Sequence, residues 1–226
     1  MKKYLHIIIL FLVLSFSQAQ TKINQNLKME LDSILKSDQI FREYIDSETA
    51  ENRKLEILKE TVYSKEEFAK NTWGIIKKQD SINLIKVERI IAEYGYPGKT
   101  LVGEPTNEAA WFVIQHSGKI AKYFPLIEKA GTNKEIDFTK VAMMQDRLLT
   151  SQGKEQIYGT QGAGKRIINK ETGKEDFFRY ILPIKNPELV NELRKKAGFT
   201  TTVEENAKRM EIEYKVYTLD EINNLK

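Results

Sequence analysis

Only one imidazole is available for chemistry if the amino-terminal segment is removed. The chain carries two histidines, His6 and His116. His6 lies in a run that reads as a leader: Lys2 and Lys3, the apolar stretch Leu5 to Leu14, then Ser17, Gln18 and Ala19. A positive start, a short apolar core and small residues at the cleavage positions mark a secretory signal peptide, and the apolar run is too short to span a bilayer. Cleavage after Ala19 is expected, which places the protein in the periplasm or outside the cell. Chemistry that needs a group titrating near neutral pH then falls on His116.

His116 follows Gln115 at the end of an apolar run, Ala109 to Ile114. It is either a general acid/base or a core histidine bonded to a carbonyl or carboxylate. Asp146 and Arg147 stand together in a later helical segment. Neighbours on a helix point about 100° apart, so the two serve separate partners. Asp146 could orient His116 as carboxylates do in catalytic dyads, and Arg147 could grip a carboxylate or phosphate through two parallel bonds. A buried structural ion pair is the alternative. Gln156, Tyr158 and Thr160 alternate with Gln161 in a segment read as extended, which suits either hydrogen bonding to a polar ligand or buttressing of a loop. The candidate catalytic residues are therefore His116 and Asp146, and the candidate substrate-binding residues are Gln115, Arg147, Tyr158 and Gln161.

Several classes of chemistry are excluded or disfavoured. The chain has no cysteine, so it has no disulfide, no thiol nucleophile and no lipidated cysteine. One histidine and no thiolate make a zinc site unfavourable, and no calcium-loop spacing occurs, so no metal or cofactor is expected. The net charge of +4 drops when Lys2 and Lys3 leave, and no electrostatic case for nucleic acid remains. The expected partner is a small polar ligand or an envelope component, with no membrane association after cleavage. The run Gly159 to Lys165 imitates a phosphate loop, but Arg166 stands where a magnesium-binding hydroxyl belongs and no helix follows. It reads as a flexible glycine-rich loop.

The elements that must position these groups are mostly helices. Apolar residues at helical spacing run from Thr21 to Lys36, with Ser37 and Asp38 expected to break the helix before a short one over Ile40 to Ile45. Glu48 to Thr61 keeps an apolar seam. Ser64 and Glu67 form a capping box that opens a long pattern to Tyr94, with a dip at Lys77 to Ser81 that could split it. Gly95 to Gly98 ends it, Leu101 to Pro105 is a connecting loop, and Thr106 caps the central apolar helix. Further helices are expected over Ile120 to Ala130, around Pro125, and over Asp137 to Gln152. After Gly153 the period changes. Arg166 to Asn169 and Asp176 to Leu182 flank a turn at Thr172 and Gly173, which predicts a hairpin. A helix from Asn186 to Gly198 and weaker ones over Val203 to Tyr217 and Thr218 to Leu225 complete the chain. The fold class is mainly α-helical with a small β-hairpin region near 155–183.

The ordered motifs carry a resemblance. They are Asp80 and Asn83; Tyr96, Pro97 and Gly98 with Leu101, Val102 and Gly103; Trp111 with Gln115 and His116; and Asp146 and Arg147. Gly153, Gln156 and Tyr158 to Gln161 come next, then Pro183 and Ile184 leading to Arg194 and Gly198. This series resembles the bacterial family known as domain of unknown function 6624, over about Asp80 to Phe199. The chain departs from the pattern in having Tyr96 where a tryptophan is usual and Gly162 where an apolar residue is frequent. The resemblance supplies a signature and no mechanism. It implies a domain over 80–226, packed as one unit with an amino-terminal helical extension over 20–79. Two functions stay open: a hydrolase-like acid/base enzyme centred on His116, and a non-catalytic ligand-binding or interaction module of the cell envelope.

Overall fold

The computed structural model describes residues 22–168 and 173–224. The expected leader over 1–19 and the Thr172 half of the expected turn lie outside these residues. Among the described residues there are eleven α-helices and one two-stranded sheet, a mainly helical fold. No helix among them is long and apolar enough to cross a membrane.

Helix α1 runs unbroken over Gln25–Ile45. The expected break at Ser37 and Asp38 does not occur. Ser37 turns its hydroxyl back onto the Ile34 carbonyl at 2.9 Å, and Asp38 is fully buried in tertiary contacts, so neither side chain diverts the local backbone. Helix α2 spans Glu51–Glu60. The Ser64 and Glu67 capping box is present and opens α3, Lys65–Lys70. The long pattern then divides at Asn71 rather than at Lys77 to Ser81, and α4 is continuous over Thr72–Tyr94. Gly95 closes it at a φ of 73°, where a side chain would be strained.

Part of the expected loop is a helical turn, α5, over Lys99–Val102. Thr106 does not cap the central helix: its hydroxyl donates to Asp32 and accepts from Lys28. A 3-10 turn over Thr106–Glu108 leads into α6, Ala109–Gln115, the buried centre of the fold as its composition predicts. Trp111 at its heart is 2% exposed and satisfies its indole N–H on the Lys140 carbonyl at 2.8 Å. Helix α7, Ile120–Thr132, passes through Pro125, and α8 covers Phe138–Ser151. Leu31, Ile34, Val87, Ile90, Ile114, Ile127 and Met144 join these helices in one apolar core. A second cluster, with Phe41, Ile57 and Phe68, closes the ends of α1 to α4.

The hairpin pairs β1, Gly162–Ile168, with β2, Glu175–Ile181, antiparallel from Gly162 opposite Ile181 to Ile168 opposite Glu175. The glycine-rich run is therefore largely strand rather than loop. A Cβ on Gly164 would stand 2.4 Å from the Phe177 ring, so the missing side chain makes room for a cross-strand aromatic. Two strands alone are marginal in water. This pair leans on a third apolar cluster with Ile181, Val190, Val203 and Ile212, drawn partly from α9, Val190–Lys196, and α10, Val203–Arg209. The expected helix over Val203 to Tyr217 stops at Arg209, and α11 is Leu219–Asn223 with its own Thr218 and Glu221 box.

Candidate functional site

Three helices meet at His116. It caps the carboxyl end of α6, while α1 and α4 pass beside it. From α1 come Asp38 and Arg42, one turn apart on a continuous helix; from α4 come Asp80 and, one turn on, Asn83. The His116 Nδ1 lies 3.3 Å and 3.2 Å from the two oxygens of Asp38. Asp38 is wholly sealed from solvent, whereas the His116 side chain keeps 18% of its surface. The Nδ1 edge therefore faces the sealed carboxylate.

The rest of the junction holds Asp38 in place. Gln39 donates its amide to Asp38 Oδ2 at 2.6 Å. Arg42 gives Nη2 to both oxygens of Asp80 at 2.9 Å each and Nη1 to the Asp38 carbonyl at 2.5 Å, with Nη1 3.6 Å from Asp38 Oδ1. One guanidinium thus serves two carboxylates, and the group carries one more negative than positive charge when the imidazole is neutral. Asn83 is fully buried; its Oδ1 accepts from Ser37 and Gln79, at 2.9 Å and 3.0 Å, and its Nδ2 has no partner among the described residues.

Asp146 does not take the place expected for it. It is also fully buried, but both its oxygens face the 156–161 segment. They accept the backbone N–H groups of Ile157 at 2.8 Å, Tyr158 at 3.0 Å and Thr160 at 3.0 Å, together with the Thr160 hydroxyl at 2.9 Å. Burial pushes its carboxyl above the ordinary value of 3.8, and these donors pull it back without cancelling the shift. The carboxylate partner of His116 is Asp38.

The alternation expected over Glu155 to Gln161 is accordingly not a strand; only a single parallel bridge, Gln156 with Ile184, occurs there. Gln156 is buried and donates to the carbonyls of Gln161 and Leu182, while its own oxygen takes the Gln161 N–H. Gln161 turns its amide onto the Thr160 hydroxyl at 3.0 Å. Arg194, 1% exposed, donates to the Tyr158 carbonyl and to Thr201, and lies 4.4 Å over the Phe199 ring. Gly159 bends the segment at a φ of 64°, and its carbonyl accepts from Asn206. Asp146, Tyr158 and Gln161 therefore belong to one buttressed turn. No hydrogen bond or ion pair among the described residues joins that turn to His116.

The remaining candidates are more open. Burial pushes the Tyr158 phenol up, and its ring packs at 6.2 Å against Phe199. Gln115 is half-buried beside His116. Arg147 is half-buried, burial lowers its guanidinium from the ordinary arginine value, and that guanidinium has no hydrogen bond or ion pair among the described residues, while the backbone carbonyl accepts from the Thr150 hydroxyl. A cavity of about 640 Å³ opens between the start of α8 and the loop after α9, walled by Phe138, Thr139, Lys196, Phe199 and Thr200. His116 is not among its lining residues, and it reaches the Asp146 turn through Phe199, whose ring packs on Tyr158. A second cavity of about 350 Å³ is walled in part by Ser37 and Gln79, the two residues that hold Asn83.

Sequence reasoning misses Asp38, Gln39 and Arg42. A signal is present: an acid and a base four apart on an amphipathic run. It is masked because Ser37 and Asp38 carry the residue types of a helix stop. For a metal, Asp38, Asp80 and His116 each offer one ligand atom, all within 4.8 Å of one another.

A family model, described as a family of unknown function (DUF6624), matches residues 25–218. The match reaches well before Asp80, so the helix that supplies Asp38 and Arg42 lies inside the family's span. No curated protein and no solved structure matches the chain.

Proposed function

We propose, for a chain that belongs to this family of unknown function, a hydrolase-like acid/base role at His116 on a small polar or cell-envelope substrate. The carrying observation is the pairing of a half-open imidazole with a fully sealed carboxylate, His116 Nδ1 to Asp38 at 3.2 Å. A carboxylate at Nδ1 holds the ring proton there and leaves Nε2 as the acceptor. Nε2 would take a proton from water or a substrate hydroxyl and return it to the leaving group, with Asp38 stabilising the imidazolium between the two steps. Gln115, next in the chain, supplies an amide to orient a polar substrate. Arg42 and Asp80 set the position of Asp38 and do not touch substrate. Export is part of this reading, supported by Lys2, Lys3 and the Leu5 to Leu14 run. The test is turnover of esters, amides, glycosides and murein fragments by the purified protein and by His116→Gln. A loss of about a hundredfold or more is expected for the variant; unchanged turnover would remove the proposal.

A second reading, a non-catalytic ligand-binding module, is favoured by Arg147. A half-buried guanidinium without an acceptor suits a bound carboxylate or phosphate. Thermal-shift measurements with small carboxylates and phosphate, on the protein and on Arg147→Met, separate the readings. A stabilisation confined to the unsubstituted protein, with the anion chemically unchanged, supports binding.

A further inference from the structure

We infer that the junction of α1, α4 and α6 binds one divalent first-row cation through Asp38, Asp80 and His116, at a place where Arg42 acts as a tethered competitor. This does not rest on the acid/base reading and competes with it, since an ion on Nδ1 would hold the ring proton on Nε2, the atom that reading needs free; the ion itself could serve hydrolysis or only recognition. The ligand set is one imidazole and two carboxylates, the mixture that suits zinc, manganese or iron rather than calcium. Its atoms come from three separate helices and lie within 4.8 Å of one another. The 3.2 Å between His116 Nδ1 and Asp38 Oδ2 is also the separation of two ligand atoms on one ion, which fall about 3–3.5 Å apart when each bond is about 2.1 Å.

Charge points the same way. Two carboxylates, one of them wholly buried, share a single guanidinium. A doubly charged ion would match them, and Arg42 could release Asp80 while keeping its bond to the Asp38 carbonyl. The ring proton would then sit on Nε2, leaving Nδ1 as the ligand.

A second, independent observation is Asn83. Its side chain is wholly buried one turn on from Asp80, its Oδ1 is held by Ser37, the residue before Asp38, and by Gln79, the residue before Asp80, and its Nδ2 has no acceptor among the described residues. Water completing the coordination of an ion would supply that acceptor.

The experiment strips the purified protein with a chelator and titrates it with zinc chloride or manganese chloride alone, by calorimetry. One ion per chain is expected. Asp80→Asn is expected to weaken binding by about tenfold or more, and Arg42→Gln to strengthen it by about tenfold, folding being checked by circular dichroism. Manganese spin-echo spectroscopy on the unsubstituted protein should show one imidazole nitrogen, a readout that no misfolded variant can blur. Absence of stoichiometric uptake by the unsubstituted protein overturns the inference, as does uptake without nitrogen coupling or uptake that Asp80→Asn leaves unchanged. Loss of turnover in His116→Gln without any ion uptake would leave the acid/base reading standing alone. Ion uptake without turnover would do the reverse.

Discussion

Asp38 reaches His116 across 78 positions of sequence and meets both faces of its problem at once: its oxygens lie 3.2 Å and 3.3 Å from Nδ1, and none of its own surface touches water. A buried carboxylate needs all its partners. Asp38→Ala strands the Gln39 amide and the inward edge of the imidazole, and leaves Arg42 with Asp80 as its one carboxylate while its bond to the backbone carbonyl at position 38 stays. A loss of about 3 kcal/mol in urea unfolding is expected. A loss below about 1 kcal/mol would show that the junction contributes little to stability.

Asp146 is expected to be equally costly for a different reason. Asp146→Asn leaves one acceptor oxygen where two served four donors. The expected cost is about 2–4 kcal/mol, with faster amide exchange at Ile157, Tyr158 and Thr160. Exchange that stays slow at all three would show that the turn is held by Gln156 and Arg194 without it.

Gly159 sits where both backbone and space forbid a side chain. Its φ is 64°, and a Cβ would stand 2.5 Å from Val203 and 2.9 Å from Ile184. Gly159→Ala is expected to cost about 3 kcal/mol by thermal or urea denaturation.

Glu88 provides a test in pH. The Tyr123 hydroxyl and Lys122 bond its carboxylate, with Lys119 also close, and they draw it from 4.5 down to about 2. A carboxyl lowered by folding adds stability above its ordinary value, and that stability is lost as pH falls from 4.5 towards about 2. The Tm gap between the protein and Glu88→Gln should be full above pH 4.5 and close as pH 2 is approached. The gap should be small, because the side chain keeps 28% of its surface exposed. A gap that is constant over that range would assign the effect to packing.

Much of the architecture is legible in local pattern. An all-round apolar run locates the buried α6, the Ser64 box locates the start of α3, and the turn residues locate the hairpin. Two kinds of feature are not legible. Ser37 and Asp38 carry the residue types of a helix stop, but such residues stop a helix only when their side chains bond the adjacent backbone in a non-helical turn. Here one bonds back up the helix and the other is consumed by a distant histidine. The period-two reading of Gln156 to Gln161 fails similarly, because donors that alternate in sequence are gathered onto a single carboxylate by a glycine turn. His116 could be singled out by elimination. Its partner could not, since nothing in the sequence around either residue encodes a contact between the body of one helix and the end of another.

The uninterrupted course of α1 has a bearing on how this chain can be divided. Asp38 and Arg42 ride on a helix that ends before Asp46, while Asp80, Asn83 and His116 all come later. A fragment opening at Asp80 would keep the imidazole and one acid yet lose the sealed carboxylate and the only guanidinium that bonds Asp80 among the described residues. Conversely, α1 alone would carry an acid and a base with nothing to hold. The first helix and the remainder are thus complementary halves of one working part, and a cut between them would sever the site as well as the core.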